Sequence, residues 1–199
     1  VNPLGGDVKG ILFNVVEEVV EEDHSERDWD LALCRAGVEG AYTSLGNYPT
    51  AQLLAILAAL AEQQGTPVAD VLRAAGEHGY HHLAARHPAL VEPYRDLGDL
   101  LLHLDTVIHP EVLKLYPHAD PPRFEVQPLA GETDAWGVTY RSARGLCHLA
   151  EGLMRGAADS FEREARIEQV TCRHRGDPTC HFEVRLGSSN PVAPGRGHR

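Results

Sequence analysis

The sequence predicts an α+β fold: a helical N-terminal half followed by a C-terminal antiparallel sheet with one long helix packed on it. Two observations carry this prediction. Up to Pro122 the apolar residues recur at three- and four-residue steps, the spacing of helices buried along one face. Beyond Pro122 they alternate, as in Phe124 and Val126 or Trp136, Val138 and Tyr140, which is the period of half-buried strands. A helical spacing then returns once, from Gly145 to Arg163.

Taken in order, residues 1–7 (VNPLGGD) read as a loose leader. Ile11, Leu12, Val15, Val16, Val19 and Val20, set against Glu17, Glu18, Glu21 and Glu22, make the first amphipathic helix. Asp28 is a candidate N-cap for a second, through Trp29, Leu31 and Leu33. Tyr42 to Pro49, with its Gly, Asn and Pro, reads as a loop. Thr50 opens an Ala/Leu-rich helix that stops near Gly65, and Thr66-Pro67 starts another with Pro at the first helical position, running past Gly79 to Leu83. Leu97, Leu100, Leu101, Leu104 and Val107 stripe a further helix, which Pro110 should kink or reset because it lacks an N–H. After Pro122 come two strands turned at Gly131–Asp134, the long helix, and a closing hairpin of Ile167 and Val170 with Phe182, Val184 and Leu186, turned at Gly176–Thr179. Residues 8–187 are thus expected to form one domain, with the helical half over about 8–120 and the sheet half over about 121–187. Residues 188–199 (SSNPVAPGRGHR) read as a flexible tail.

The 199 residues carry 18 Lys+Arg against 29 Asp+Glu, a net charge of −11 with no basic block. That argues against nucleic acid or an anionic membrane surface as partner. No apolar run approaches a membrane span, no signal-peptide order is seen, and four cysteines in a chain of this size do not make a secreted disulfide scaffold. A cytoplasmic location is expected.

Two features carry chemistry. His109 follows Val107 and Ile108 at the end of an apolar helical stripe. A buried ring nitrogen there needs a partner, which a backbone carbonyl, a carboxylate, a water or a metal could supply. Tyr140, Ser142 and Arg144 share one face if they continue a strand, and three donors on one patch suit a carboxylate or a phosphate. His103 is expected on another side of its helix, and His81, His82, His87 and His118 in solvent.

These features occur in an order that resembles a known family. Val8-Lys9-Gly10-Ile11-Leu12-Phe13-Asn14, Tyr42-Thr43-Ser44-Leu45-Gly46-Asn47-Tyr48-Pro49, His109 with Lys114-Leu115-Tyr116-Pro117, and Tyr140-x-Ser142-x-Arg144 resemble the heme nitric oxide/oxygen-binding (H-NOX) domains, relatives of the heme domain of soluble guanylate cyclase. The resemblance implies a heme b between the two halves. His109, thirteen positions before Pro122, matches the axial iron ligand; Tyr140, Ser142 and Arg144 match the propionate clamp; Pro122 matches a proline that presses on the porphyrin. Leu12, Val16, Gly79, Leu83, Leu149 and Leu153 match the distal pocket. Members that hold dioxygen place a Tyr five positions past the Arg, where this chain has Leu149, so nitric oxide and carbon monoxide are the expected ligands, without stable dioxygen binding. The implied activity is sensing, in which nitric oxide weakens the iron–His109 bond and the change of shape regulates a separate partner such as a histidine kinase or a cyclic-di-nucleotide enzyme.

Cys147, Cys172 and Cys180 form a second candidate site, since three thiolates and an imidazole make a tetrahedral zinc site. Some family members carry zinc on these three cysteines and on a His three residues before the second, a position held here by Gln169. His174 or His181 is then the candidate fourth ligand, and a thiol-based redox module is the alternative reading. An enzyme turning over a substrate such as peroxide would want a polar distal acid or base. The matched positions offer none, and no nucleophile, base and oxyanion set is seen, so no catalysis is expected.

Overall fold

The computed structural model describes residues 6–187. Residues 1–5 of the expected leader and the expected tail over 188–199 lie outside the described residues. Asp7, assigned to the leader, instead opens strand β1 (Asp7–Lys9), which pairs antiparallel with β2 (Asn47–Pro49), the end of the expected loop.

The helical half follows the apolar spacing. α1 (Gly10–Asp23) buries Ile11, Val15, Val16, Val19 and Val20. α2 (Glu26–Ala36) starts two residues before the expected cap, because the Ser25 hydroxyl accepts from the backbone N–H of Asp28 and serves as N-cap itself. α3 (Thr50–Gln64) ends at Gly65, whose φ of 65° is a left-handed cap that glycine adopts without strain. α4 (Val68–Arg86) is preceded by Pro67 at the N-cap, one position ahead of the expected one.

The fifth helical segment departs from its stripe. α5 (Leu97–His103) buries Leu97, Leu100 and Leu101, then passes into a π-turn (Leu104–Ile108) and α6 (His109–Leu115). The wider turn holds one residue more, so the phase moves on by one: Val107 is exposed and Ile108 is buried in its place. The backbone N–H of His109 reaches back to the carbonyl of Leu104, and the chain passes through Pro110 as continuous helix rather than breaking.

Beyond Pro122 the sheet is antiparallel in the order β3 (Arg123–Pro128), β4 (Ala135–Arg141), β6 (Cys180–Leu186), β5 (Ala165–Thr171). Register sets Val138 opposite Phe182 and Tyr140 opposite Cys180, giving an apolar inner face. α7 (Cys147–Ser160) covers that face with Ala150, Met154 and Ala157 and is shorter at both ends than expected, starting after Gly145 at φ 70°. Its other side meets α4 backbone to backbone: a Cβ on Gly152 would lie 2.0 Å from the Arg73 carbonyl oxygen, and one on Gly76 2.3 Å from that of Leu149. No helix among the described residues is long and apolar enough to cross a membrane.

Candidate functional site

His109 stands where the helical half meets the sheet. Its ring lies 5.8 Å from that of Phe124 on β3, and Phe124 makes an edge contact with Tyr140 at 5.4 Å. The Nδ1–H of His109 donates to Asp105 Oδ1 at 2.9 Å, so the partner of this nitrogen is a carboxylate four residues earlier. Nε2 has no hydrogen-bond partner among the described residues. Burial pushes the His109 pKa down, against the opposing pull of Asp105. Burial and the direction of this shift both favour the neutral ring, the form that ligates iron.

The Tyr-x-Ser-x-Arg stretch does not continue as strand to its end. β4 stops at Arg141, and Ser142 and Arg144 lie in the bend that follows, so period-two alternation does not align the three. They converge by folding back. Burial raises the Tyr140 pKa to about 12. The Ser142 hydroxyl accepts from the Arg144 backbone N–H at 3.2 Å. The Arg144 guanidinium is buried, donates from Nε to the Asp7 carbonyl at 3.0 Å, and grips Asp120 Oδ2 at 2.5 Å.

The matched distal residues divide. Leu12, Val16, Leu149 and Leu153 belong to one apolar cluster with α3 and α4. Leu83 packs instead with Ile11, Val15 and Tyr116 in a small cluster between α1, α4 and α6. Gly79 sits against Val15, whose Cγ1 would lie 2.7 Å from an added Cβ. Pro122 is half-buried just ahead of β3. This donor set fits a heme: a neutral imidazole with one nitrogen engaged, apolar walls, and a buried guanidinium that already holds a carboxylate, the group a propionate carries.

Several residues were not legible as site residues. Asp105 and Asp120 are two carboxylates in an acidic chain. Lys9 is buried, its Nζ donating to the carbonyls of Pro117 at 2.6 Å and Leu45 at 3.1 Å, which ties β1 to the loop after α6. His87, expected in solvent, is half-buried and bonded through Nε2 to the Tyr116 hydroxyl at 2.7 Å. His103 lies on another side as expected, bonded to the Asp99 carbonyl at 2.7 Å.

The thiols also converge. Cys147 and Cys172 are buried with their sulfurs 3.8 Å apart, and Cys180 accepts from the Arg173 N–H at 3.4 Å. Burial is the main cause lifting the Cys147 thiol to about 12. The imidazole beside them is that of His148, whose ligand atom lies within 4.8 Å of those of Cys147 and Cys172. His174 stacks on His148 at 5.6 Å but is bonded to the Gly145 carbonyl. His181 is bonded to the Thr139 hydroxyl, on the opposite face of β6 from Cys180.

The sequence pattern described as Haem-NO-binding matches residues 9–169. Among solved structures, the chain is similar to an H-NOX protein from S. oneidensis in the Fe(II)NO ligation state, with 32% identity, a TM-score of 0.85, and coverage of 91% of this chain and 100% of that one. The Fe(II)CO form of the H-NOX domain from Shewanella oneidensis matches at 32% identity and TM-score 0.81, covering 90% and 99%. An unliganded Fe(II) H-NOX protein from K. algicida matches at 26% identity and TM-score 0.80, covering 94% and 100%. Comparison with curated proteins finds no match.

Proposed function

Because the chain belongs to the Haem-NO-binding (H-NOX) family, whose members are heme-based gas sensors, we propose that it senses nitric oxide and passes the signal to a separate protein, such as a histidine kinase or a cyclic-di-nucleotide enzyme. The observation that carries this reading is the partly buried His109 imidazole, held through Nδ1 by Asp105 with Nε2 unengaged. Ferrous heme would supply an open coordination position for a diatomic gas. His109 would ligate the iron, Tyr140, Ser142 and Arg144 would hold the propionates, and Leu12, Val16, Leu149 and Leu153 would keep the gas side dry.

Selectivity rests on Leu149, which is buried and apolar. Bound dioxygen is polar and gains from a hydroxyl donor, which a leucine cannot offer, whereas nitric oxide and carbon monoxide need none. Release of His109 by nitric oxide would free the helix that carries it, and a partner can read that change only by binding the two shapes with different affinity. Reduced, heme-loaded protein should shift its Soret band with nitric oxide and with carbon monoxide and show no lasting oxygenated spectrum in air. A stable oxygenated spectrum would overturn the selectivity.

A second reading concerns the thiols. Cys147, Cys172 and His148, with Cys180 close by, offer a soft donor set of the kind zinc takes. Metal analysis of protein purified without added zinc tests it: one zinc per chain, lost in Cys172→Ser, supports the site, and metal-free protein points to the thiol redox alternative.

A further inference from the structure

We infer that Asp105 is the positioning residue of the axial histidine and the chain's own link between that histidine and the sheet. The inference rests on His109 being the heme ligand. One carboxylate makes both connections: Oδ1 accepts from His109 Nδ1 at 2.9 Å, and Oδ2 accepts from the backbone N–H of Phe124 at 2.9 Å. β3 is an edge strand, paired only with β4, and an edge N–H that no strand satisfies must find another acceptor. Asp105 supplies it across nineteen residues of chain.

Three consequences follow from this geometry. The Nδ1 proton is fixed on the Asp105 side, so Nε2 presents its lone pair. A carboxylate acceptor makes a stronger, charge-assisted bond than a carbonyl does and raises the basicity of the ligating nitrogen. The pair also spans the turn in which Pro110 removes a backbone rung, so a side-chain bond holds the helix where the ladder cannot. Phe124 meets the His109 ring as well, at 5.8 Å, and Phe124 in turn touches Tyr140. A displacement of His109 therefore reaches β3 through a hydrogen bond and a ring contact together.

The test uses heme-loaded protein and the variants Asp105→Ala and Asp105→Asn. In Asp105→Ala the iron–histidine stretching band of the ferrous protein should fall, the reduction potential should rise, and heme loss should quicken by roughly 10- to 100-fold. The Phe124 amide should exchange faster with deuterium. Asp105→Asn keeps one neutral oxygen acceptor and should give a smaller shift of the same band, and it carries the test if Asp105→Ala fails to fold. An unchanged band and potential would overturn the positioning role, and an unchanged Phe124 amide would overturn the link to the sheet. Wild-type protein that takes up no heme refutes the underlying assignment instead, so the two failures are distinguishable.

Discussion

The buried guanidinium of Arg144 holds the exposed carboxylate of Asp120 at 2.5 Å, an unequal pair in which the Arg side chain is 9% exposed and the Asp 83%. A buried cation gripping a solvent-facing carboxylate could exchange it for another, as the proposed propionate contact requires. The same guanidinium is fixed from the other side by the Asp7 carbonyl, so its orientation does not depend on Asp120.

Arg144→Ala should therefore speed heme transfer to a scavenging acceptor protein by at least about tenfold, since a hydrogen bond to a charged group contributes roughly 1.5–3 kcal/mol. Asp120→Asn should leave the transfer rate near that of wild type. Equal effects of the two substitutions would mean that the pair is structural and that Arg144 does not receive a propionate.

The close approach of α4 and α7 gives a prediction about stability. With the Arg73 carbonyl 2.0 Å from an added Cβ, Gly152→Ala must push two helix backbones apart. We expect a loss of at least about 1–3 kcal/mol, the range for overpacking a filled core, read as a lower urea midpoint. A midpoint equal to wild type would show that the helices separate freely.

Much of this arrangement was legible in the sequence because it is local. Gly65 caps α3, the Gly131–Asp134 and Gly176–Thr179 turns fall between β3 and β4 and between β5 and β6, and His109 ends a visible apolar stripe. What was not legible depends on residues distant in the chain or on a change of helical phase. Asp7–Lys9 is too short to show alternation, and its partner strand lies about forty residues away. Nothing in the spacing announces the π-turn that exchanges Val107 for Ile108. His148 was hidden because neighbours on a helix diverge by about 100°, so adjacency to Cys147 says little until Cys172 is folded against both. Ser142 and Arg144 share a face with Tyr140 only if the strand's alternation continues, and β4 ends at Arg141, ahead of both.

Glu151 predicts a pH dependence. It is buried, and burial works to raise its pKa, but the His148 ring 3.9 Å away and hydrogen bonds from Arg73 and Arg155 outweigh this and hold the carboxyl at about 2 against an ordinary 4.5. A depressed carboxylate stabilises the fold fully above its unfolded value and loses that contribution as pH falls through the folded one. Wild type should therefore lose stability between about pH 4.5 and 2 through this group. Glu151→Gln should be less stable at pH 7 by about 3 kcal/mol, the lower end for breaking a buried pair, and flatter across the acid range. Urea midpoints measured from pH 7 to 2 check both; parallel curves for the two proteins would contradict the assignment.

The most direct measurement is the absorption spectrum of His109→Gly beside wild type, each expressed with ample heme precursor. Wild type should show a strong Soret band that moves on adding nitric oxide, and His109→Gly a band that is lost or returns only when free imidazole is supplied. A colourless wild-type protein, or a variant whose spectrum matches wild type without imidazole, would contradict heme ligation by His109.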